Sequence, residues 1–177
     1  RGLVGSEMCI RDRNKIELEE IGLILNDHNS NKISSSAIRE NLKSGKFELA
    51  NKDLERNFSV AGKVIKGDQR GRTIGIPTAN LEYPLNTITI PYGVYAVETL
   101  IEGNTYFGIV NFGIRPTFNK DKPIVEAYLF DFDNDIYGKN IEILFHKQIR
   151  QEKKFNDIKE LLNQICLLYT SPSPRDL

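Results

Sequence analysis

The strongest constraint on the fold is a succession of short β-rich segments that begins at residue 58. Each segment is rich in Val, Ile, Tyr and Phe, and clusters of Gly, Pro, Asn and Asp separate one segment from the next. The segments are FSVAGKVIKG, NLEY, GVYAVETLI, TYFGIVNFG, IVEAYLFDF and NIEILFHKQI. Glu102-Gly103-Asn104 has the composition of a hairpin tip between the third and the fourth. Six strands in about 90 residues predict a mainly β fold, a small and mostly antiparallel barrel.

Helical patterns are found on both sides of these strands. Before them, residues 34–36 offer serine N-caps, and apolar residues up to Leu49 predict short helices broken at Gly45. After them, the apolar residues of FNDIKELLNQI, residues 155–165, share one face and predict a closing helix. Near the start of the chain, the β-branched residues 16–25 predict a further strand.

The two ends of the chain have the pattern of translated adapter DNA. When residues 166–171 are reverse-translated, the reverse complement reads in another frame as residues 8–12. One DNA element in two orientations therefore flanks the insert, and it resembles the adapter of transposase-based sequencing libraries. We expect residues 1–13 and 166–177 to be non-native. Both cysteines and the only methionine lie in these ends, so hypotheses of a disulfide, a thiol nucleophile or a Cys-ligated metal have no native residues.

Composition and charge argue against two functional classes. No apolar run approaches the roughly 20 residues that span a bilayer, so we do not expect an integral membrane protein. The 24 basic side chains balance the 24 acidic ones, which gives no electrostatic reason to expect a nucleic-acid partner. An oligonucleotide-binding barrel is also disfavoured, because the chain has no basic stripe with exposed aromatic residues.

The segment from residue 67 to 81, GDQRGRTIGIPTANL, carries the most chemistry. Its three glycines allow a ligand to approach the backbone closely, and Arg70 and Arg72 add guanidinium groups suited to phosphate oxygens. Thr78 and Asn80 alternate onto one face of the next strand, where a hydroxyl and an amide oxygen are hard ligands of the kind Mg²⁺ prefers. The segment is not a Walker A loop. The alternative is a surface hairpin with ordinary turn glycines, and spacing alone does not decide between them.

The second candidate is Glu126, within the segment PIVEAYLFDF. Strand alternation places Glu126, Tyr128 and Phe130 on one face and three aliphatic residues on the other. A carboxylate beside two aromatic rings is partly desolvated, which suits a general base. The alternative is an edge-strand glutamate whose carboxylate reaches water.

These residues carry a resemblance to the riboflavin kinases. The segment from Gly71 to Asn80, GRTIGIPTAN, closely resembles the signature of that family. Further pieces occur in the family's order: Gly93-Val94-Tyr95, Asn111 to Phe118, Glu126, Tyr137-Gly138, and Arg150 to Phe155. The resemblance runs from about Phe58 to Ile165. It implies a six-stranded antiparallel Greek-key β-barrel with a C-terminal α-helix, preceded by a small α/β remnant.

The resemblance also implies an activity and assigns residues to it. A riboflavin kinase transfers the γ-phosphoryl group of Mg-ATP to the terminal ribityl hydroxyl of riboflavin, which gives FMN in the cytoplasm, with no nucleic-acid or membrane partner. By position, Glu126 is the expected catalytic base. The residues expected to bind ATP are Gly67, Arg72, Thr78 and Asn80, of which Thr78 and Asn80 are also expected to bind Mg²⁺. The residues expected on the flavin side are Leu129, Asp131, Tyr137, Arg150, Lys153 and Phe155.

The resemblance extends to a second module upstream. Residues 33–39, ISSSAIR, resemble the C-terminal motif of the nucleotidyltransferase module that precedes this kinase in bacterial bifunctional FAD synthetases. We therefore expect residues 14–57 to be the remnant of an FMN adenylyltransferase module and residues 58–165 to be the riboflavin kinase domain. The HxGH-type motif and an initiator Met are missing, so we expect a fragment of the bifunctional protein without adenylylation activity. A non-catalytic barrel that binds flavin or nucleotide is the alternative, and Glu126 discriminates against it.

Overall fold

The structure is a computed structural model that describes residues 22, 25, 32–67, 77–84, 86–114 and 123–151. The chain divides into two compact units, Arg1–Ile33 and Ser34–Leu177. In the first unit an isolated antiparallel bridge joins Leu25 and Lys32. The strand predicted over residues 16–25 falls mostly outside the described residues, and the helix predicted over residues 155–165 falls entirely outside them.

Two short helices open the second unit, α1 (Ser35–Lys43) and α2 (Phe47–Leu54). Ser34 is the N-cap of α1, and its Oγ accepts a hydrogen bond from the Ala37 backbone N–H at 3.2 Å. Between the helices Gly45 has a φ of +76°, a left-handed conformation that favours glycine. The prediction of short helices broken at Gly45 is therefore confirmed. Over the residues described, no helix reaches the length and apolar character needed to cross a bilayer.

Six antiparallel strands then form a closed barrel in the spatial order β1-β2-β5-β4-β3-β6. The strands are β1 (Phe58–Ile65), β2 (Ala79–Glu82), β3 (Gly93–Ile101), β4 (Asn104–Ile114), β5 (Pro123–Leu129) and β6 (Asn140–Gln151). Strands β3, β4 and β5 form a meander, and β6 returns to lie beside β3, which is a Greek-key arrangement. The prediction of a six-stranded antiparallel Greek-key barrel is confirmed.

The β3–β4 hairpin turns where the sequence predicts it. Ile101 pairs with Asn104, and the two residues between them, Glu102 and Gly103, have φ values of +50° and +84°. Positive φ at both central positions is the geometry of a type I′ turn, whose twist matches that of the strands. Asn104 is therefore the first residue of β4 rather than part of the tip.

Helix α2 contributes to the same hydrophobic core as the barrel. Phe47 is fully buried, and its ring centroid lies 5.1 Å from that of Tyr95, 5.9 Å from Phe145 and 6.1 Å from Phe58. Aromatic pairs at these distances add to the stabilisation from area burial alone. The helices and the barrel thus share one compact unit, while the predicted module boundary at residue 58 stays a prediction.

Asn51 of α2 joins the helix to the seam between β1 and β6. The strand pairing there ends at Phe58 opposite Phe145. The Asn51 Oδ1 atom accepts a hydrogen bond from the Phe58 backbone N–H at 2.8 Å, and its Nδ2 donates to the Phe145 carbonyl, also at 2.8 Å. One side-chain amide therefore satisfies a donor on one strand and an acceptor on the other, where the ladder between them stops.

We predict that Asn51→Ala lowers the free energy of unfolding by about 2 to 4 kcal/mol, because it leaves two partly buried backbone groups without this partner. Urea denaturation followed by circular dichroism measures the change. Asn104→Ala, at an exposed hairpin residue, is the control and should stay within about 0.5 kcal/mol of the parent chain. Equal stability of Asn51→Ala and the parent would contradict this role of Asn51.

Candidate active site

Three polar side chains lie in register across strands β2, β5 and β4. Asn80 pairs with Glu126, and Glu126 pairs with Asn111 on its other side. Directly opposed residues of antiparallel strands point to the same face, with Cβ atoms roughly 4.5–5.5 Å apart. Because Val125 and Ala127, which flank Glu126, are fully buried inside the barrel, this polar row lies on the outer face. The structure therefore places the predicted base between two asparagines.

The surroundings of Glu126 match the predicted strand alternation. Along the outer face of β5 and just beyond its end, Tyr128 and Phe130 are half-buried like Glu126 itself. Their rings contact each other edge-to-face, with centroids 5.8 Å apart and planes at 74°. The glutamate thus belongs to a face on which aromatic side chains partly exclude water.

Asn80 and Thr78 provide the oxygen atoms that suit a hard cation. Asn80 is only 3% exposed although it lies on the outer face, and its Nδ2 donates to the Thr78 carbonyl at 3.5 Å. Within the described part of the chain no group of three or more His, Cys, Asp or Glu side chains is placed to hold a metal ion. Mg²⁺ commonly keeps several waters and takes phosphate oxygens, so a cation held by the Thr78 hydroxyl and the Asn80 amide oxygen would not need such a group.

A cavity of about 420 Å³ lies between the start of β2, the end of β5 and the connection from β5 to β6. Ala79 and Ala127 line it and are direct partners in the β2–β5 ladder. Both side chains are small and buried. The volume is in the range of small-molecule sites, roughly 300–1,000 Å³.

The β5–β6 connection forms the outer wall of the cavity and carries both aromatic and acidic side chains. Phe132, Ile136 and Tyr137 line it together with Asp133 and Asp135. The Asp135 Oδ1 atom accepts a hydrogen bond from the Tyr137 backbone N–H at 2.9 Å, which fixes this part of the connection. Apolar walls suit a flat ring, whereas the two carboxylates repel phosphate groups. The cavity is therefore better suited to an aromatic ring than to a phosphate chain.

The cavity also regroups residues that the sequence assigned to different substrates. Thr78, expected to bind ATP, lines it together with Leu129 and Tyr137, which were expected on the flavin side. Gly67 lies just after β1 and is half-buried, and Asp131 is exposed in the turn after β5 with a φ of +53°.

Arg150 of β6 lies beyond Asn111, at the β4 end of the polar row. It pairs with Val94 of β3, and Val94 in turn pairs with Asn111. Its Nη1 donates to the Gln151 carbonyl at 3.1 Å, and desolvation by burial lowers the pKa of Arg150 from its ordinary value. Arg150 therefore lies on the β4 side of Glu126, whereas Asn80 lies on the β2 side.

Three predicted site residues, Arg72, Lys153 and Phe155, lie outside the described residues. Sequence reasoning in turn missed the cavity wall formed by Phe132, Asp133, Asp135 and Ile136. The available signal was the run DFDNDIYG, in which aromatic and acidic residues alternate between two strands. The role of this run can be recognised only in the closed barrel, where it lines the same cavity as Ala79 and Ala127.

The family model and the curated relatives agree on one family. The family model for riboflavin kinase (Flavokinase) matches residues 54–167. The bifunctional riboflavin kinase/FMN adenylyltransferase of Bacillus subtilis is 49% identical over 137 residues, which cover 76% of this chain and 43% of that protein. The protein of the same name from Haemophilus influenzae is 39% identical over 153 residues, covering 83% of this chain and 49% of that protein. The chain thus spans about half the length of the curated relatives it matches.

A solved structure matches as well. The crystal structure of a macrolide-efflux protein from Streptococcus pneumoniae superposes with a TM-score of 0.76 at 33% sequence identity. The match covers 83% of this chain and 48% of that chain. It supports the barrel and its topology independently of the family model.

Proposed function

The chain belongs to the riboflavin kinase family, and from that premise we propose that its barrel transfers the γ-phosphoryl group of Mg-ATP to riboflavin. The products are FMN and ADP. The observation that supports this reaction best is the position of Glu126 between Asn80 and Asn111 on the outer barrel face. Phosphoryl transfer depends on positioning and charge neutralisation. In this row a proposed base, Glu126, lies next to a proposed oxygen ligand of Mg²⁺, Asn80.

Glu126, Asn80 and Thr78 each have a task in this reaction. Glu126 accepts the proton of the terminal ribityl hydroxyl. The hydroxyl oxygen attacks the γ-phosphorus at the same time, and ADP leaves. Thr78 and Asn80 would hold Mg²⁺, which would supply charge neutralisation to the transferred group. Gly67 and Arg72 are proposed to contact the ATP phosphates.

We propose that the cavity holds the adenine ring of ATP. It adjoins Thr78, on the metal and phosphate side of Glu126, and its carboxylates Asp133 and Asp135 direct phosphate groups outwards. Leu129 and Tyr137 would then contact adenine, in place of the flavin contact expected from the sequence. Asp131, Arg150, Lys153 and Phe155 remain proposed flavin-side residues.

The curated relatives are also named for FMN adenylyltransferase activity. We propose that this chain corresponds to the kinase part of such a bifunctional protein, with residues 14–57 derived from its adenylyltransferase module and residues 1–13 and 166–177 non-native. A cytoplasmic location follows from the proposed use of ATP as a substrate.

The chain is expected to convert riboflavin and Mg-ATP to FMN and ADP without forming FAD. Chromatographic separation of the flavins, with ADP measured in parallel, checks the outcome. A folded protein that binds flavin but forms no FMN would contradict the proposed activity and would favour a non-catalytic flavin-binding barrel.

We predict that Glu126→Gln lowers kcat by about 10²- to 10⁴-fold, because the amide cannot accept the proton of the attacking hydroxyl. Dissociation constants for riboflavin and ADP, measured by titration, should change little. Glu142→Gln provides the control, since Glu142 is also half-buried on a strand but pairs with Ala61, outside the row. If Glu126→Gln turns over as fast as the parent chain, Glu126 is not the base.

We predict that Ala127→Val weakens ADP binding by about 10-fold or more, because the two added methyl groups occupy space that the ring requires. Riboflavin affinity should stay near that of the parent chain, and calorimetry with each ligand measures both values. Ala61→Val is the control, because Ala61 is exposed on β1. If Ala127→Val instead loses riboflavin affinity, the cavity with Leu129 and Tyr137 binds the flavin, as the sequence predicted.

A further inference from the structure

Asn111 is the one member of the polar row to which the proposed reaction gives no task. It is exposed on β4, directly opposite Glu126 in the β4–β5 ladder. Its neighbour on the other side is Val94, which pairs with Arg150. Asn111 therefore lies between the proposed base and an arginine proposed for the flavin side.

The order of the row separates the two substrates. Thr78 and Asn80 lie at β2, on one side of Glu126, and the cavity adjoins Thr78. In phosphoryl transfer the attacking and leaving oxygens lie roughly in line on opposite sides of the phosphorus. If the nucleotide occupies the β2 side, the attacking hydroxyl and the chain that carries it must approach from the β4 side, where Asn111 lies.

We propose that Asn111 binds the acceptor substrate through a hydroxyl of its ribityl chain and so holds the terminal hydroxyl within reach of Glu126. The inference rests on the proposed function. A primary amide donates and accepts hydrogen bonds at the same time, which matches a hydroxyl that does both. Asn111 is thus a specificity-determining residue that selects a flavin carrying a polyol chain over one without it.

Steady-state kinetics of the full chain tests the proposal. Asn111→Ala should raise KM for riboflavin by about 3- to 10-fold, the loss expected for one hydrogen bond between neutral groups, with KM for ATP unchanged. Asn111→Ser, which keeps a donor and an acceptor on the same face, should recover part of this loss. Asn104→Ala is the matched control, because Asn104 is exposed on the same strand but lies at the hairpin.

Lumiflavin, which has the flavin ring without the ribityl chain, separates a ribityl contact from a ring contact. Fluorescence titration should show equal lumiflavin affinity for the parent chain and Asn111→Ala, but weaker riboflavin affinity for the variant. An equal loss for both flavins, or unchanged riboflavin affinity, would overturn the proposal. If the parent chain makes no FMN, the proposed function fails, and the comparison of the two flavins still tests the Asn111 contact.

Discussion

Closure of the six-stranded barrel is the constraint on which the other features depend. In a sheet with one buried face, a register shift of one residue would turn every side chain of a strand to the opposite face. The register of β2 against β5 therefore fixes two features at once. It places Ala79 beside Ala127 on the buried face, where both line the cavity, and Asn80 beside Glu126 on the outer face. The cavity and the polar row are consequences of the same strand pairing.

Closure also explains why the helices pack as part of the barrel. Strand β6 pairs with β1 only as far as Phe145 and then continues along β3 alone to Gln151. The end of the β1–β6 ladder would expose backbone groups and core aromatic rings if nothing covered it. Asn51 satisfies the backbone groups, and Phe47 covers the rings. Residues that the sequence assigns to an upstream module thus complete the seam of the barrel.

The sequence predicted what depends on local pattern and missed what depends on strand order. Period-two alternation is local, so the face that Glu126 shares with Tyr128 and Phe130 could be derived from its own strand. The cavity could not be derived in this way, because β2 pairs with β5 rather than with its neighbour in sequence, β3. For the same reason Leu129 and Tyr137 were separated from Thr78 in the sequence but line one cavity in the structure. Arg72 lies outside the described residues, so its contact with phosphate stays a prediction.

The choice of asparagine on both sides of Glu126 has an electrostatic reason. In the proposed reaction the transferred phosphoryl group is already negative, and the carboxylate of Glu126 would lie close to it to take up the proton. An aspartate at position 80 or 111 would add negative charge about one strand spacing away, roughly 5 Å, where repulsion between charges is substantial. An amide supplies the same oxygen and hydrogen-bonding geometry without that charge. Neutral neighbours therefore leave Glu126 as the single acidic side chain of the row, which would lessen the repulsion of a phosphate group in the proposed reaction.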